Sequence, residues 1–233
     1  MSASFFLTGT DTDVGKTLVS AALLQRAQLN QQLAIGLKPI ASGCDWQDGE
    51  LKNRDALLHQ RYSNPSLPYA THNHFAFEPA IAPHIAAQQA HCSVSVAGIV
   101  EACQTGLNTN ADFHLIEGAG GWLVPLNRHE TFADAAVALG FPVILVVGLR
   151  LGCINHACLT AQAIRASGLS IAGWVANCVD PNMAVQSDNL KYLQNWFTAQ
   201  HIPHLGSLPH IPQLDPFCSD TMTALAKHLH WPD

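Results

Sequence analysis

The sequence predicts an α/β fold, a mostly parallel central sheet with helices on both faces. Three observations point there. Short apolar runs alternate with helical segments through most of the chain, the pattern of linked strand–helix–strand units. One run, Pro142 to Val147, is continuous and β-branched, the mark of a central parallel strand covered on both faces. The first run, Phe5-Phe6-Leu7, leads directly into Gly9-Thr10-Asp11-Thr12-Asp13-Val14-Gly15-Lys16-Thr17 and then into a helical segment. A strand, a glycine-bounded turn and a helix start form a phosphate cradle. Backbone N–H groups face the anion, the helix dipole favours it, and Lys16 adds a full charge. The fold is therefore expected to be of the P-loop NTPase type, binding a nucleoside triphosphate, with Thr17 offering a hydroxyl to Mg²⁺.

The elements follow in order. Residues 4–8 read as the first strand and 16–29 as its helix. Ala34 to Leu37 reads as a second strand, ending at Lys38-Pro39. Residues 41–53 are polar and contain glycine, hence a loop, and 54–61 form a short helix. Pro65, Pro68, Pro79 and Pro83 mark an irregular excursion, with helices over 81–90 and 93–106. Phe113 to Glu117 is a third strand, followed by Gly118-Ala119-Gly120-Gly121. A helix over 131–139 has Thr131 as its cap. After the buried strand come a helix over 154–167 and a strand from Ile171 to Ala176. An amphipathic helix over 185–199, a short strand over 204–208 and a terminal helix near 219–229 complete the chain. No repeat or linker divides it, so residues 1–233 are read as one domain.

Composition narrows the function. The chain has 233 residues, 48% of them hydrophobic, so it can bury a sizeable core. A net charge of −6 with only 11 Lys and Arg argues against a broad nucleic-acid surface. The longest apolar stretch, Phe141 to Leu149, is far too short to span a bilayer. Seven cysteines, an odd number without a C-x-x-C pair, read as reduced thiols of a cytoplasmic protein, and no signal peptide is visible. Cys153, His156 and Cys158 lack a fourth ligand at suitable spacing for zinc. His72 and His74 read as loop or surface residues.

In a parallel sheet of this kind ligands bind beyond the carboxyl ends of strands. The chemistry-bearing residues fall there. Glu117 ends an apolar strand, placed to hold Mg²⁺ directly or through water. The glycines after it let backbone approach a terminal phosphate. Asp55 is a second metal candidate, although a solvated acid at a helix start has the same pattern. Lys38, ending a buried strand, would lie beside the phosphate cradle. It would serve as a second cation either for a transferred phosphoryl group or for a substrate anion. The loop itself is unusual: five residues separate Gly9 from Gly15, where the common spacing has four.

Four segments in this order, Gly9 to Thr17, Lys38-Pro39-Ile40-Ala41-Ser42-Gly43, Glu117 to Gly121 and Gly152-Cys153-Ile154-Asn155-His156, resemble the dethiobiotin synthetase family. The resemblance runs from the first strand to Asn177, about three-quarters of the chain, and is less distinct over the last 50 or so residues. The five-residue loop spacing is that family's own. Asp13 stands where Glu is more usual, and Cys178 where an acid is expected beside Asn177. The resemblance implies an ATP-dependent ring closure of 7,8-diaminononanoate with CO2 or bicarbonate. It implies that Thr17, Asp55 and Glu117 bind Mg²⁺, and that Asp13, Val14, Gly15, Lys16, Thr17 and Leu18 cradle the nucleotide with Gly118, Ala119 and Gly120. Asn177 would read the adenine edge, with Pro209, His210 and Ile211 nearby. Thr12, Lys38 and Ser42 would contact the substrate, with Lys38, Lys16 and Thr12 carrying the catalysis. Gly152, Cys153, Ile154 and Asn155, aided by Tyr192, would take the substrate carboxylate across a homodimer interface.

Two rivals share parts of this pattern. Partitioning or metal-delivery ATPases use the same fold as a switch, but typically carry an extra Lys early in the loop. Here those positions are Thr10 and Asp11, with no Lys before Lys16. ATP-dependent amide-forming enzymes usually append a glutaminase domain, for which the chain has no room.

Overall fold

The computed structural model describes residues 2–232. Strand β1 (Ala3–Gly9) leads into helix α1 (Lys16–Leu29), and β2 (Ala34–Leu37) follows. An excursion then carries β3 (Ile40–Ser42), β4 (Asp45–Gln47), β5 (Glu50–Lys52), α2 (Arg54–Tyr62), α3 (Tyr69–His72), β6 (Phe75–Phe77) and α4 (Pro83–Gln89). The chain returns through α5 (Val96–Leu107), β7 (Phe113–Glu117) and α6 (Phe132–Leu139) to β8 (Val143–Gly148). Helix α7 (Cys153–Ala166), β9 (Ile171–Asn177), α8 (Gln186–Ala199), β10 (His204–Leu208) and α9 (Ser219–Ala226) close it.

Six strands form one parallel sheet in the order β10-β9-β8-β1-β7-β2. Side chains alternate across it, as a pleated strand requires. Phe5 and Leu7 of β1, Leu115 of β7 and Ile144 and Val146 of β8 pack with α1, α2 and α9 on one face. Phe6, Ile116, Val143, Leu145 and Val147 pack with α4 to α8 on the other. Every residue of β8 is buried, which explains why its sequence lacks a polar alternation. Each fully buried Leu, Ile or Val contributes about 2 kcal/mol relative to exposure. Among the described residues no helix is long and apolar enough to cross a membrane.

Two expectations are corrected. Residues 41–53 are not simply a loop: β4 and β5 pair as an antiparallel hairpin, and β3 pairs with β6 in a second small sheet. The hairpin turns on Asp48 and Gly49, both at positive φ (53° and 81°), the geometry that an Asp-Gly pair favours. His72 is not a surface residue. It is fully buried in α3, where its Nδ1 lies 2.6 Å from the Gly36 carbonyl oxygen. Burial pushes its imidazole down to a pKa of about 4, so the ring is neutral. His74 is exposed.

Candidate active site

The sheet register assembles the site. Leu7 of β1 pairs with Glu117 of β7, and Gly9 of β1 with Val146 of β8. The phosphate loop, Glu117 and the end of β2 thus emerge along one edge, where parallel sheets receive ligands. A cleft of about 890 Å³ opens there. Thr12, Asp13, Gly15, Lys16 and Thr17 line it with Lys38, Ser42, Asp55, Glu117, Ala119 and Gly120.

The loop is held in shape by its own residues. Thr10 N–H donates to the Val146 carbonyl at 3.0 Å, continuing the β1–β8 ladder beyond Gly9. Lys16 curls back so that its ammonium donates to the Asp11 carbonyl at 2.9 Å. Gly15 caps α1 at φ 86°, and a Cβ there would lie 2.0 Å from Asn177 Nδ2. Only glycine fits both constraints. Asn177 in turn donates from Nδ2 to the buried Val14 carbonyl at 2.9 Å. Asp11 pairs with Arg150, which follows β8.

Lys38 and Glu117 form the electrostatic centre. Lys38 Nζ lies 2.6 Å from Glu117 Oε1, 3.0 Å from the Gly118 carbonyl and 3.6 Å from Asp55 Oδ2. Both Lys38 and Glu117 are buried. Burial alone disfavours both charges, but each outweighs it for the other. Lys38 holds the Glu117 carboxyl well below the usual carboxylate range, and Glu117, with Asp55, holds Lys38 above the ordinary lysine value. Lys16 behaves oppositely. Burial, reinforced by Lys38, lowers its pKa to about 8.

The donor set suits Mg²⁺. Thr17 supplies a hydroxyl, Asp55 and Glu117 supply carboxylates, and all three line the cleft. Hard oxygen donors of this kind bind Mg²⁺ in phosphate-loop sites. Thr17 Oγ1 already donates to Glu117 Oε1 at 2.9 Å. Ser42 lines the cleft, and its Oγ is buried with no hydrogen-bond partner among the described residues.

Other predicted residues lie outside this cleft. Asn177 is buried behind the loop, and the Cys178 N–H bond to the Leu208 carbonyl at 3.0 Å brings Pro209 to Ile211 toward the same strand end. Gly152 to Asn155 begin α7, where Gly152 adopts φ 94°. Tyr192 is half exposed on α8. None of these lines the cleft within one chain.

The structure also adds residues that sequence reasoning missed. Ser20 donates to Glu117 Oε2 at 2.9 Å, and His59 Nε2 lies 2.7 Å from the same oxygen. Asn53 caps α2 through Asp55 N–H at 2.9 Å and reaches the Ser42 carbonyl at 3.2 Å. Asn73 fixes the Lys38 carbonyl at 2.7 Å. A helical spacing signal was present for two of them. Thr17 and Ser20 are three residues apart on α1, and Asp55 and His59 four apart on α2, so each pair shares a face.

A parallel sheet with this loop and these strand-end residues defines a P-loop nucleotide protein. Comparison with known proteins narrows the class. A family described as an AAA domain matches residues 3–217. The ATP-dependent dethiobiotin synthetase of Marinobacter nauticus is 52% identical over 91% of this chain and 90% of its own length. That of Pseudomonas aeruginosa strain PAO1 is 46% identical over 97% and 95%. The chain belongs to the dethiobiotin synthetase family. Solved structures share the fold at low identity. A ParA family ATPase from Chlorobium tepidum matches with TM-score 0.56 at 10% identity, over 98% of this chain and all of that one. The MinC:MinD complex of Aquifex aeolicus gives 0.54 at 12%, over 96% of this chain and 86% of the matched one.

Proposed function

We propose that this chain is an ATP-dependent dethiobiotin synthetase, acting as one catalytic domain. It adds CO2 to one amine of 7,8-diaminononanoate with loss of a proton, giving a carbamate. The γ-phosphoryl group of ATP passes to a carbamate oxygen, releasing ADP. The second amine attacks the resulting anhydride carbon and expels phosphate, closing the cyclic urea. The observation that carries this reading is the buried Lys38, which lines the cleft beside the phosphate loop with Ser42. A nucleotide switch has no need of a second substrate pocket there, and the loop lacks the early lysine typical of such switches.

Roles follow from placement. A carbamate forms only from a neutral amine, and a free amine with a pKa of about 10.4 is roughly 0.04% neutral at pH 7. A cation nearby lowers that pKa, so Lys38 activates the amine and then holds the carbamate, with Thr12 and Ser42 positioning the substrate. Thr17, Asp55 and Glu117 hold Mg²⁺, which when bound neutralises the β- and γ-phosphates. Lys16 and the N–H groups of the phosphate loop hold those phosphates, and Gly118 to Gly120 allow the γ-phosphate close approach. Asn177 has Nδ2 committed to Val14, leaving Oδ1 to accept from the adenine amino group beside Pro209 to Ile211. No protein nucleophile is required, and catalysis is mostly positioning and electrostatics.

The substrate carboxylate is held by Gly152 to Asn155 and Tyr192 of a second copy, in a homodimer. That this segment does not line its own chain's cleft supports sharing, as do the exposed Leu151, Leu159 and Tyr192 on and beside α7 and α8. Seven free thiols suit a reducing cytoplasm.

The test is direct. Purified protein given ATP, bicarbonate and 7,8-diaminononanoate should release a cyclic urea, ADP and phosphate in equal amounts. ATP turnover indifferent to the diamine would overturn the assignment.

A further inference from the structure

The Glu117 carboxylate is fully buried, and its two oxygens have different company. Oε1 is held by Thr17 and Lys38, whose side chains line the cleft. Oε2 is held from behind by Ser20 at 2.9 Å and His59 at 2.7 Å, both buried beneath the cleft floor. The His59 ring packs closely against Gly36. Its Nδ1 has no hydrogen-bond partner among the described residues and faces Gly36, where a Cβ would come within 2.4 Å of it. Its carbonyl accepts from Ser63 Oγ at 2.7 Å, and Ser63 Oγ accepts from the Gly36 N–H at 2.9 Å.

A buried N–H without an acceptor is rarer than a bare acceptor. Nδ1 has no acceptor to face, so the ring carries its proton on Nε2 and donates it to Glu117. The Oε2 atom is then fully occupied by two donors that a ligand in the cleft cannot reach. Lys38 and Thr17 are different, because substrate and nucleotide draw on them. When they turn to those ligands, only Ser20 and His59 still orient the carboxylate.

We propose that His59 is a positioning residue for the cation site. Its Nε2–H fixes Glu117 so that Oε1 alone is presented to the divalent cation. This rests on the reading of Glu117 as a cation ligand, made under the proposed function. Partners behind a ligating group set its orientation, and losing one typically weakens metal binding by about 10–100-fold.

The experiment measures cation binding without turnover, by titrating Mn²⁺ into the full-length protein with ADP and following the free Mn²⁺ by paramagnetic resonance. His59→Leu keeps the bulk but removes the donor, and should raise the Mn²⁺ dissociation constant about 10–100-fold. It should leave ADP binding without metal unchanged. His59→Gln can place an amide N–H near the Nε2 position and should restore binding close to the wild-type value. Glu117→Gln is measured in parallel. If Glu117→Gln loses Mn²⁺ while folded His59→Leu binds it like the wild type, the His59 proposal falls and the Glu117 reading stands. If Glu117→Gln itself binds Mn²⁺ normally, both fall. Should His59→Leu not fold, the wild-type imidazole decides by nitrogen-15 resonance. A proton on Nε2 with a bare Nδ1 supports the proposal, and the opposite tautomer overturns it.

Discussion

At the scale of single residues, two lysines share one cleft and are tuned in opposite directions. Lys38 faces Glu117 and Asp55 and keeps its charge under all ordinary conditions. Lys16 is desolvated, feels Lys38, and titrates near 8. Phosphates bind its protonated form. Above pH 8 the free protein has lost that proton and must recover it on binding. Nucleotide affinity without metal should therefore hold steady below pH 8 and fall as pH rises through it, approaching tenfold per unit. Calorimetry of ADP binding across pH 6.5–9.5 checks this, and a flat profile would show that Lys16 stays charged. Arithmetic on spacing, Gly9 to Gly15 to Lys16, made the cradle legible. The partners of Glu117 were not legible in the same way. Spacing puts Ser20 and His59 on the same helix faces as Thr17 and Asp55, but their contact with Glu117 shows only once β7 brings the buried carboxylate between α1 and α2.

At the scale of elements, legibility followed burial. Strand β8 is apolar along its whole length because helices cover both of its faces. The β4–β5 hairpin buries little, and each three-residue strand carries a single apolar residue, Trp46 or Leu51, too short a pattern to stand out, so the Asp48-Gly49 turn is its clearest mark. Strand β10 has a similar hidden feature. Its register against β9 shifts between His204 and Gly206. Gly206 sits at φ 132°, where a Cβ would lie 2.0 Å from the His228 carbonyl oxygen. Both the backbone angle and the clash oppose a side chain. Gly206→Ala should destabilise the protein by on the order of 3 kcal/mol, lowering the urea midpoint with little change in slope. An unchanged midpoint would mean that the segment after α9 yields freely.

At the scale of the whole molecule, the site proposed above is completed by a second chain. Leu151 precedes α7 and is 89% exposed, with Leu159 and Tyr192 also uncovered nearby. A surface change there should alter monomer stability by no more than about 0.5 kcal/mol. Leu151→Asp should leave the melting temperature of the fold nearly unaltered, shift sedimentation from dimer to monomer and abolish dethiobiotin formation. A variant that remains dimeric and active would remove this face from the interface. Strand and helix positions were readable along one chain. The proposed sharing of the site comes from the family resemblance alone, because no spacing within a sequence records which residues another copy supplies.

The pairing of Asp11 with Arg150 gains a meaning in the proposed dimer. The bridge is part-exposed, with side chains 48% and 37% accessible, so it adds little to stability. Its geography matters more. Asp11 belongs to the phosphate loop of one reaction chamber, while Arg150 stands two residues from Gly152, which would serve the neighbouring chamber. Within each chain, one carboxylate–guanidinium contact would thus tie the loop of its own chamber to the segment lent to the other.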